Sequence, residues 1–261
     1  MALLELQGVV AGYAGRPVLA GLSLSVEAGA LTVLLGRNGA GKTTLLRVAS
    51  GAIRPTAGTV HVAGADLAAR SSVERARLVS GVPQEDVADF AFTLREVVAL
   101  GRASRRSALA REDAADFAAI DAALAAVGLS ADADRAVTEV SGGERRRASI
   151  ARCLAQDARL LLLDEPAAHL DLGHALRLLA SLAALARADS RAVLASMHDV
   201  NLAALVADRV VLLDAGRILA DGRPADVLTP ERLEEAFRSP VRVLRHPDGG
   251  GPVVVPARPP S

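Results

Sequence analysis

Leu31-Thr32-Val33-Leu34-Leu35, followed by Gly36-Arg37-Asn38-Gly39-Ala40-Gly41-Lys42-Thr43-Thr44, decides the fold. The first five residues form a short, mostly apolar run, as expected of a parallel strand buried on both faces. The next stretch fits G-x-x-x-x-G-K-[ST] and leads into a helix expected from about Lys42 to Ser50. A glycine-rich turn between a buried strand and a helix lets backbone N–H groups face inward around phosphate oxygens. The helix N-terminus adds the positive end of its dipole. In such a loop, Gly36, Arg37, Asn38, Gly39, Ala40, Gly41, Lys42, Thr43 and Thr44 wrap a nucleotide's phosphates. The Lys42 ammonium reaches the β and γ phosphates, and the Thr43 hydroxyl ligates magnesium.

Composition sharpens that reading. The chain has 30 basic residues among 261, and Lys42 is the only lysine; the other 29 are arginines. An ammonium is a compact point charge, whereas guanidinium is a wide planar fork. A site that accepts only the compact shape explains why the single exception lies here. Acidic and basic residues balance at 30 each, so nothing supports nucleic-acid binding, which usually shows as a basic patch. A lone cysteine, Cys153, excludes an intrachain disulfide. There is no basic stretch followed by an apolar run of signal-peptide type. No window reaches the roughly 18 apolar residues of a membrane span, so any membrane role must come through a partner.

Outward from the loop, strands and helices alternate. Strands are expected at Leu3–Val10, Val18–Val26, Thr59–Val62, Leu160–Leu163 and Arg191–Met197, and helices at Ala175–Ala188 and Val200–Val206. Arg209–Leu213 and Arg217–Ala220 flank an Asp-Ala-Gly turn and read as a hairpin. The fold class is α/β: a P-loop NTPase core with a mainly parallel sheet, an N-terminal antiparallel β portion and a helical insertion at about 86–139. One domain is expected over 1–238. A C-terminal tail follows at 239–261, rich in Pro and Gly and without regular structure from His246 onward.

Two further segments complete a site. Leu160–Leu163 runs into Asp164 and Glu165, and strand ends line the ligand crevice of open α/β sheets. Asp164 is the candidate magnesium ligand and Glu165 the candidate general base. The second segment is Val140-Ser141-Gly142-Gly143-Glu144. Ser141 with Glu144 three residues on is a capping box. Its two glycines each cost about 1 kcal/mol against alanine inside a helix. They make sense where a ligand must approach bare backbone at a second phosphate-binding helix end.

With these residues in order, the sequence resembles the ATP-binding cassette (ABC) family along nearly its whole length. The resemblance implies roles for further residues. Gln84 is similar to the Q-loop glutamine that contacts magnesium or water and senses a membrane partner. Asp171, after Leu170, is similar to the D-loop aspartate facing an opposite subunit. His198 is similar to the switch histidine at the γ-phosphate, and Tyr13, the only tyrosine, to the aromatic that stacks on adenine. Three positions depart from the usual pattern: Val140 for Leu, Ala167 for Thr, and Arg146 where Gln is common. None of the three removes a catalytic group, and Arg146 is the one that bears on nucleotide contacts.

The segment Phe92–Arg102, the run Ala168–Leu172, and the tail with His246-Pro247 and Val253-Val-Val-Pro256 look like the ATPases of iron-siderophore, haem and cobalamin importers. That resemblance implies an ATP hydrolase using ATP and Mg2+ and dimerising in its ATP-bound state. It implies a peripheral position on the cytoplasmic face of the cell membrane, on a permease dimer served by a substrate-binding protein. The apolar stretch around Phe90–Leu100, beside Gln84, is the expected docking region. The cargo is not separated among the three chelates. Another ABC transporter motor (amino acid, metal ion or exporter) and a soluble non-transport cassette stay open as alternatives. A P-loop kinase or GTPase would not need Ser141–Glu144.

Overall fold

The computed structural model describes residues 2–82, 92–105 and 113–257. Gln84, and Phe90 and Ala91 of the expected docking region, lie outside the described residues. Two long strands, β1 (Ala2–Tyr13) and β2 (Arg16–Glu27), pair antiparallel. The chain then enters β3 (Ala30–Leu35), the phosphate loop and α1 (Lys42–Ala49). Next come β4 (Ala57–Val62) and β5 (Ala65–Asp66), which complete a four-stranded sheet of order β2-β1-β4-β5. Helix α2 (Ser72–Leu78), not foreseen from sequence, starts on a Ser71–Glu74 capping box and feeds β6 (Val79–Val82).

A helical stretch follows, with α3 (Leu94–Ala99) and α4 (Ala114–Ala126). Helix α5 (Gly142–Ala155) then leads to β7 (Leu160–Asp164). After it come α6 (Leu172–Asp189), β8 (Ala192–Ser196), α7 (Val200–Val206), β9 (Arg209–Asp214) and β10 (Arg217–Gly222). Two short helices, α8 (Pro224–Val227) and α9 (Pro230–Phe237), precede β11 (Val241–Arg245) and β12 (Pro252–Pro256).

The central sheet has the order β10-β9-β3-β8-β7-β6, parallel except for β10. Successive side chains of a strand point to opposite faces. Leu31, Val33 and Leu35, with Leu161, Leu163, Val193 and Ala195, join the core beneath α3–α7. Leu34, Leu160, Leu162 and Leu194 join a second core with α1 and the antiparallel sheet. Both faces are covered, which is why these strands read as continuous apolar runs. Topology also fixes the site: β3, β8 and β7 are neighbours, so the loops leaving their C-terminal ends lie side by side.

The tail differs from expectation. Val241–Arg245 and Pro252–Pro256 form an antiparallel hairpin, with Val241 opposite Pro256 and Arg245 opposite Pro252. Pro and Gly between His246 and Gly251 make its turn. Asn201 on α7 acts as a surrogate neighbouring strand for β12: its Nδ2 donates to Val254 O at 3.0 Å, and its Oδ1 accepts from Val254 N at 2.7 Å.

Candidate nucleotide site

The loop leaving β3 is built from conformations that side chains resist. Gly36 has φ 146°, Gly39 φ 81° and Gly41 φ 104°. A Cβ at Gly36 would meet Leu213 O at 2.3 Å, so that position tolerates only glycine. Arg37, Asn38 and Gly39 form an exposed tip, while Ala40, Gly41, Lys42 and Thr44 are buried. Lys42 is only 7% exposed. Its ammonium donates to Gly36 O at 2.6 Å and Arg37 O at 3.2 Å, curling back over the loop. Burial pulls its pKa below the usual lysine value, and the nearby Glu165 and Asp164 charges oppose that pull.

Beside the loop, the end of β7 is clamped to β8. Asp164 is 4% exposed, and its Oδ1 accepts from Ser196 Oγ at 2.5 Å. Glu165 turns out of the strand with φ 53°, an uncommon conformation for a residue other than glycine. Its N–H donates to Ser196 O at 3.2 Å and to Ser196 Oγ at 3.0 Å. Its Oε1 lies 2.5 Å from His198 Nε2, on the loop leaving β8. Residues Arg37–Gly39, Gly41–Thr44, Glu165 and His198 line one cleft. Tyr13, Thr43, Arg47 and Asp164 line an adjoining one. Thr43 belongs to both. Tyr13 is half-exposed, and its hydroxyl accepts from Arg47 Nη1 at 3.1 Å.

Ser141, Gly142, Gly143 and Asp171 line neither cleft. Ser141 caps α5 as expected: its Oγ accepts from Glu144 N at 3.2 Å, and Glu144 Oε2 accepts from Ser141 N at 2.8 Å. Bonding to the Ser141 hydroxyl, then to its backbone N–H, holds the Glu144 carboxyl below its ordinary pKa. Gly142 is exposed, with no atom within 4 Å of where its Cβ would be. The fold therefore does not require glycine there. Gly143 does have a packing reason, since its Cβ would sit 3.0 Å from Leu170 Cδ2. Asp171 caps α6, with Oδ1 accepting from His174 N at 2.9 Å. That backbone bond, followed by the His174 ring, holds the carboxyl below its ordinary range.

Arg146 is 6% exposed and donates inward to the Asp164 carbonyl, at the end of β7. Sequence reasoning missed Ser196 and Arg47. For Ser196 a signal existed: it is the one polar residue in the β8 run Ala192–Ser196.

A family model described as ABC transporter matches residues 19–168, more than half of the chain. This chain belongs to the ABC transporter family. It is 42% identical over 258 residues to the hemin import ATP-binding protein HmuV of Rhodococcus jostii, covering 98% of this chain and 86% of that one. It is 43% identical over 253 residues to the cobalamin import ATP-binding protein BtuD of Halobacterium salinarum. That match covers 97% of this chain, which spans only 63% of the BtuD length. Among solved structures, the fold matches an ABC transporter assigned to the metal-chelate type, in an inward-facing conformation. The TM-score is 0.84 at 27% identity, covering 99% of this chain and 98% of that one. The six-stranded sheet, the antiparallel sheet and the helical stretch are thus those of an ABC cassette.

Proposed function

We propose that this chain is the ATP-hydrolysing subunit of an importer for haem, cobalamin or an iron chelate. The observation that carries the ATPase reading is the single cleft holding Lys42, Glu165 and His198 together. The hemin and cobalamin import names of its relatives support the cargo class.

In this reading, phosphates draw the Lys42 ammonium off the Gly36 and Arg37 carbonyls. An anion there offsets the desolvation that depresses the lysine. Glu165 takes the proton of the attacking water. His198 holds the carboxylate until the γ-phosphate arrives, then turns to that phosphate and frees the base. Tyr13 stacks on the adenine. Thr43 and Asp164, a hydroxyl and a carboxylate on one cleft, are oxygen donors suited to Mg2+, with Gln84 a further candidate. The ion would neutralise phosphate charge.

Ser141–Gly143 line neither of the clefts that the phosphate loop lines. We assign them, with Asp171, to the nucleotide of a second copy. Of the helical insertion, placed at about 86–139, the described part exposes Phe92, Leu100 and Phe117, a surface suited to a permease dimer at the cytoplasmic membrane face. Among the described residues no helix is long and apolar enough to cross a membrane. A substrate-binding protein would deliver the cargo from the other side.

A crosslinker placed at Leu100 or Phe117 in native vesicles should capture an integral membrane protein. A deletion strain should lose growth on haem, an iron chelate or scarce cobalamin. Normal uptake of all three, with no second importer present, would overturn the cargo class. Failure to hydrolyse ATP, alone and with the permease, would overturn the motor.

A further inference from the structure

We propose that Arg146 is a positioning residue: it ties the start of α5 to the Asp164–Glu165 peptide of its own chain. What Ser141–Gly143 touches is thereby passed to the aim of Glu165. This rests on the ATPase reading above.

Arg146 lies in the second turn of α5, about 7.5 Å along the axis from the Ser141 cap at the usual rise per residue. No glycine or proline separates it from Gly143, so the two are joined by a rigid helix. A buried guanidinium is costly unless its donors are satisfied. Here one nitrogen of the guanidinium is directed at main chain. Nη2 donates to Asp164 O and, at 3.4 Å, to Glu165 O. These are the carbonyls on either side of the left-handed turn at Glu165.

The opposite side of the same turn is already held. Glu165 N donates to Ser196, and Ala168 N donates to Glu165 O at 3.1 Å. The backbone carrying the candidate base is therefore gripped between β8 and α5. The β8 grip is part of the sheet. The α5 grip belongs to a helix whose buried face joins the same core as α3 and α4. A tilt of that helix pulls on the Glu165 carbonyl through Arg146 while Ser196 resists. A glutamine at this place has a shorter side chain and one amide donor group. Arginine is longer and brings a single nitrogen, Nη2, to both carbonyls.

The test compares Arg146→Met, Arg146→Gln and Arg146→Lys in the full chain. Methionine removes the donors. ATP turnover should fall about tenfold or more, the effect expected when a reacting group drifts from its aim. KM for ATP should stay within about twofold, because the phosphate loop is untouched. Glutamine and lysine should each restore part of the loss, since each keeps one donor nitrogen where Nη2 serves both carbonyls. Hydrogen exchange in the nucleotide-free protein gives a second readout. In Arg146→Met, the Glu165 and Ala168 amides should exchange faster while α1 is unchanged.

A lower melting temperature with turnover per folded molecule intact would overturn the proposal. So would faster exchange spread evenly over the chain. Gly142→Ala combined with Arg146→Met tests the link to the helix start, where strictly additive losses would overturn it. If the parent chain showed no ATP turnover, the functional reading would fail, and the exchange pattern alone would still decide whether Arg146 holds Glu165.

Discussion

His198 Nε2 and Glu165 Oε1 share a hydrogen bond of 2.5 Å, although they sit 33 residues apart on loops leaving neighbouring strands. The pair couples the residue proposed to contact the γ-phosphate to the proposed base. Replacing His198 by alanine breaks that link and leaves the phosphate loop intact. Turnover should fall about 10²-fold or more, the usual worth of a positioned proton-transfer group. ATP affinity should change little. Single-turnover hydrolysis beside equilibrium nucleotide binding checks both halves. A large loss of affinity would place His198 in ground-state binding instead.

Lys42→Arg keeps the charge and changes its shape. Lys42 is 7% exposed and its ammonium lies 2.6 Å from Gly36 O, and a planar fork is wider than the compact group it would replace there. We expect ATP turnover to drop about 10²-fold or more, as when a preorganised donor to the reacting group is removed. Because Lys42 is the only lysine, an amine-directed reagent can modify only it and the chain terminus. Mass spectrometry should show ATP protecting Lys42. Turnover close to that of the parent would refute the shape argument.

The two signature glycines should separate under substitution. Gly142→Ala meets open space, and alanine favours a helix by about 1 kcal/mol, so thermal stability should hold or rise. Any loss must then come from a ligand or partner approaching the backbone. ATP-dependent self-association and hydrolysis should both weaken. Gly143→Ala crowds the end of Leu170 and should cost some stability as well. Melting curves with sedimentation in ATP distinguish them. Unchanged association in Gly142→Ala would mean that glycine serves no ligand.

Asn201→Ala should loosen the tail. It removes two bonds to the Val254 backbone and leaves the outer edge of β12 without its surrogate partner. A loss of about 1 kcal/mol is the expected size. In a chain of this length that corresponds to about 2–4 °C in melting temperature. Limited proteolysis should cut first within 241–256. An unchanged digestion pattern would show that the hairpin holds without the clasp.

Much of this molecule is legible in sequence because its signals are local. The phosphate loop, the acidic strand end and the Ser141 cap each depend on residues within a few positions, and each stands where its spacing puts it. What was not legible depends on distant pairing. Ser196 acquires meaning only when β8 lies against β7 and its hydroxyl meets Asp164, 32 residues away. Arg146 shows its tie to the Asp164 carbonyl only when α5 docks beside β7. The tail reads as irregular because Pro and Gly dominate its turn, whereas β11 and β12 pair across that turn and Asn201, 53 residues before Val254, clasps the other edge of β12.

Glu165→Gln should bind ATP, scarcely hydrolyse it and accumulate as a dimer. The chain carries two nucleotide-facing elements, the loop Gly36–Thr44 and the helix start Ser141–Gly143, and they do not share a cleft. Two copies arranged head to tail would place each γ-phosphate between the loop of one and the helix start of the other. ATP then joins the copies, because its phosphate gains N–H donors and a helix dipole only when the second copy arrives. Hydrolysis and phosphate release remove that bridge, and the pair opens. An amide in place of the Glu165 carboxylate removes the base and keeps the shape, so the closed state should persist. Its side chain can still donate to or accept from His198, which keeps the local geometry. Sedimentation with ATP, with and without Ser141→Arg, tests both halves. Arginine at the cap replaces the hydroxyl that Glu144 N donates to and puts bulk where the second copy's phosphate would lie. Glu165→Gln remaining monomeric at high protein and ATP concentration would count against the sandwich. Dimers that survive Ser141→Arg unchanged would show that the contact lies elsewhere on the surface.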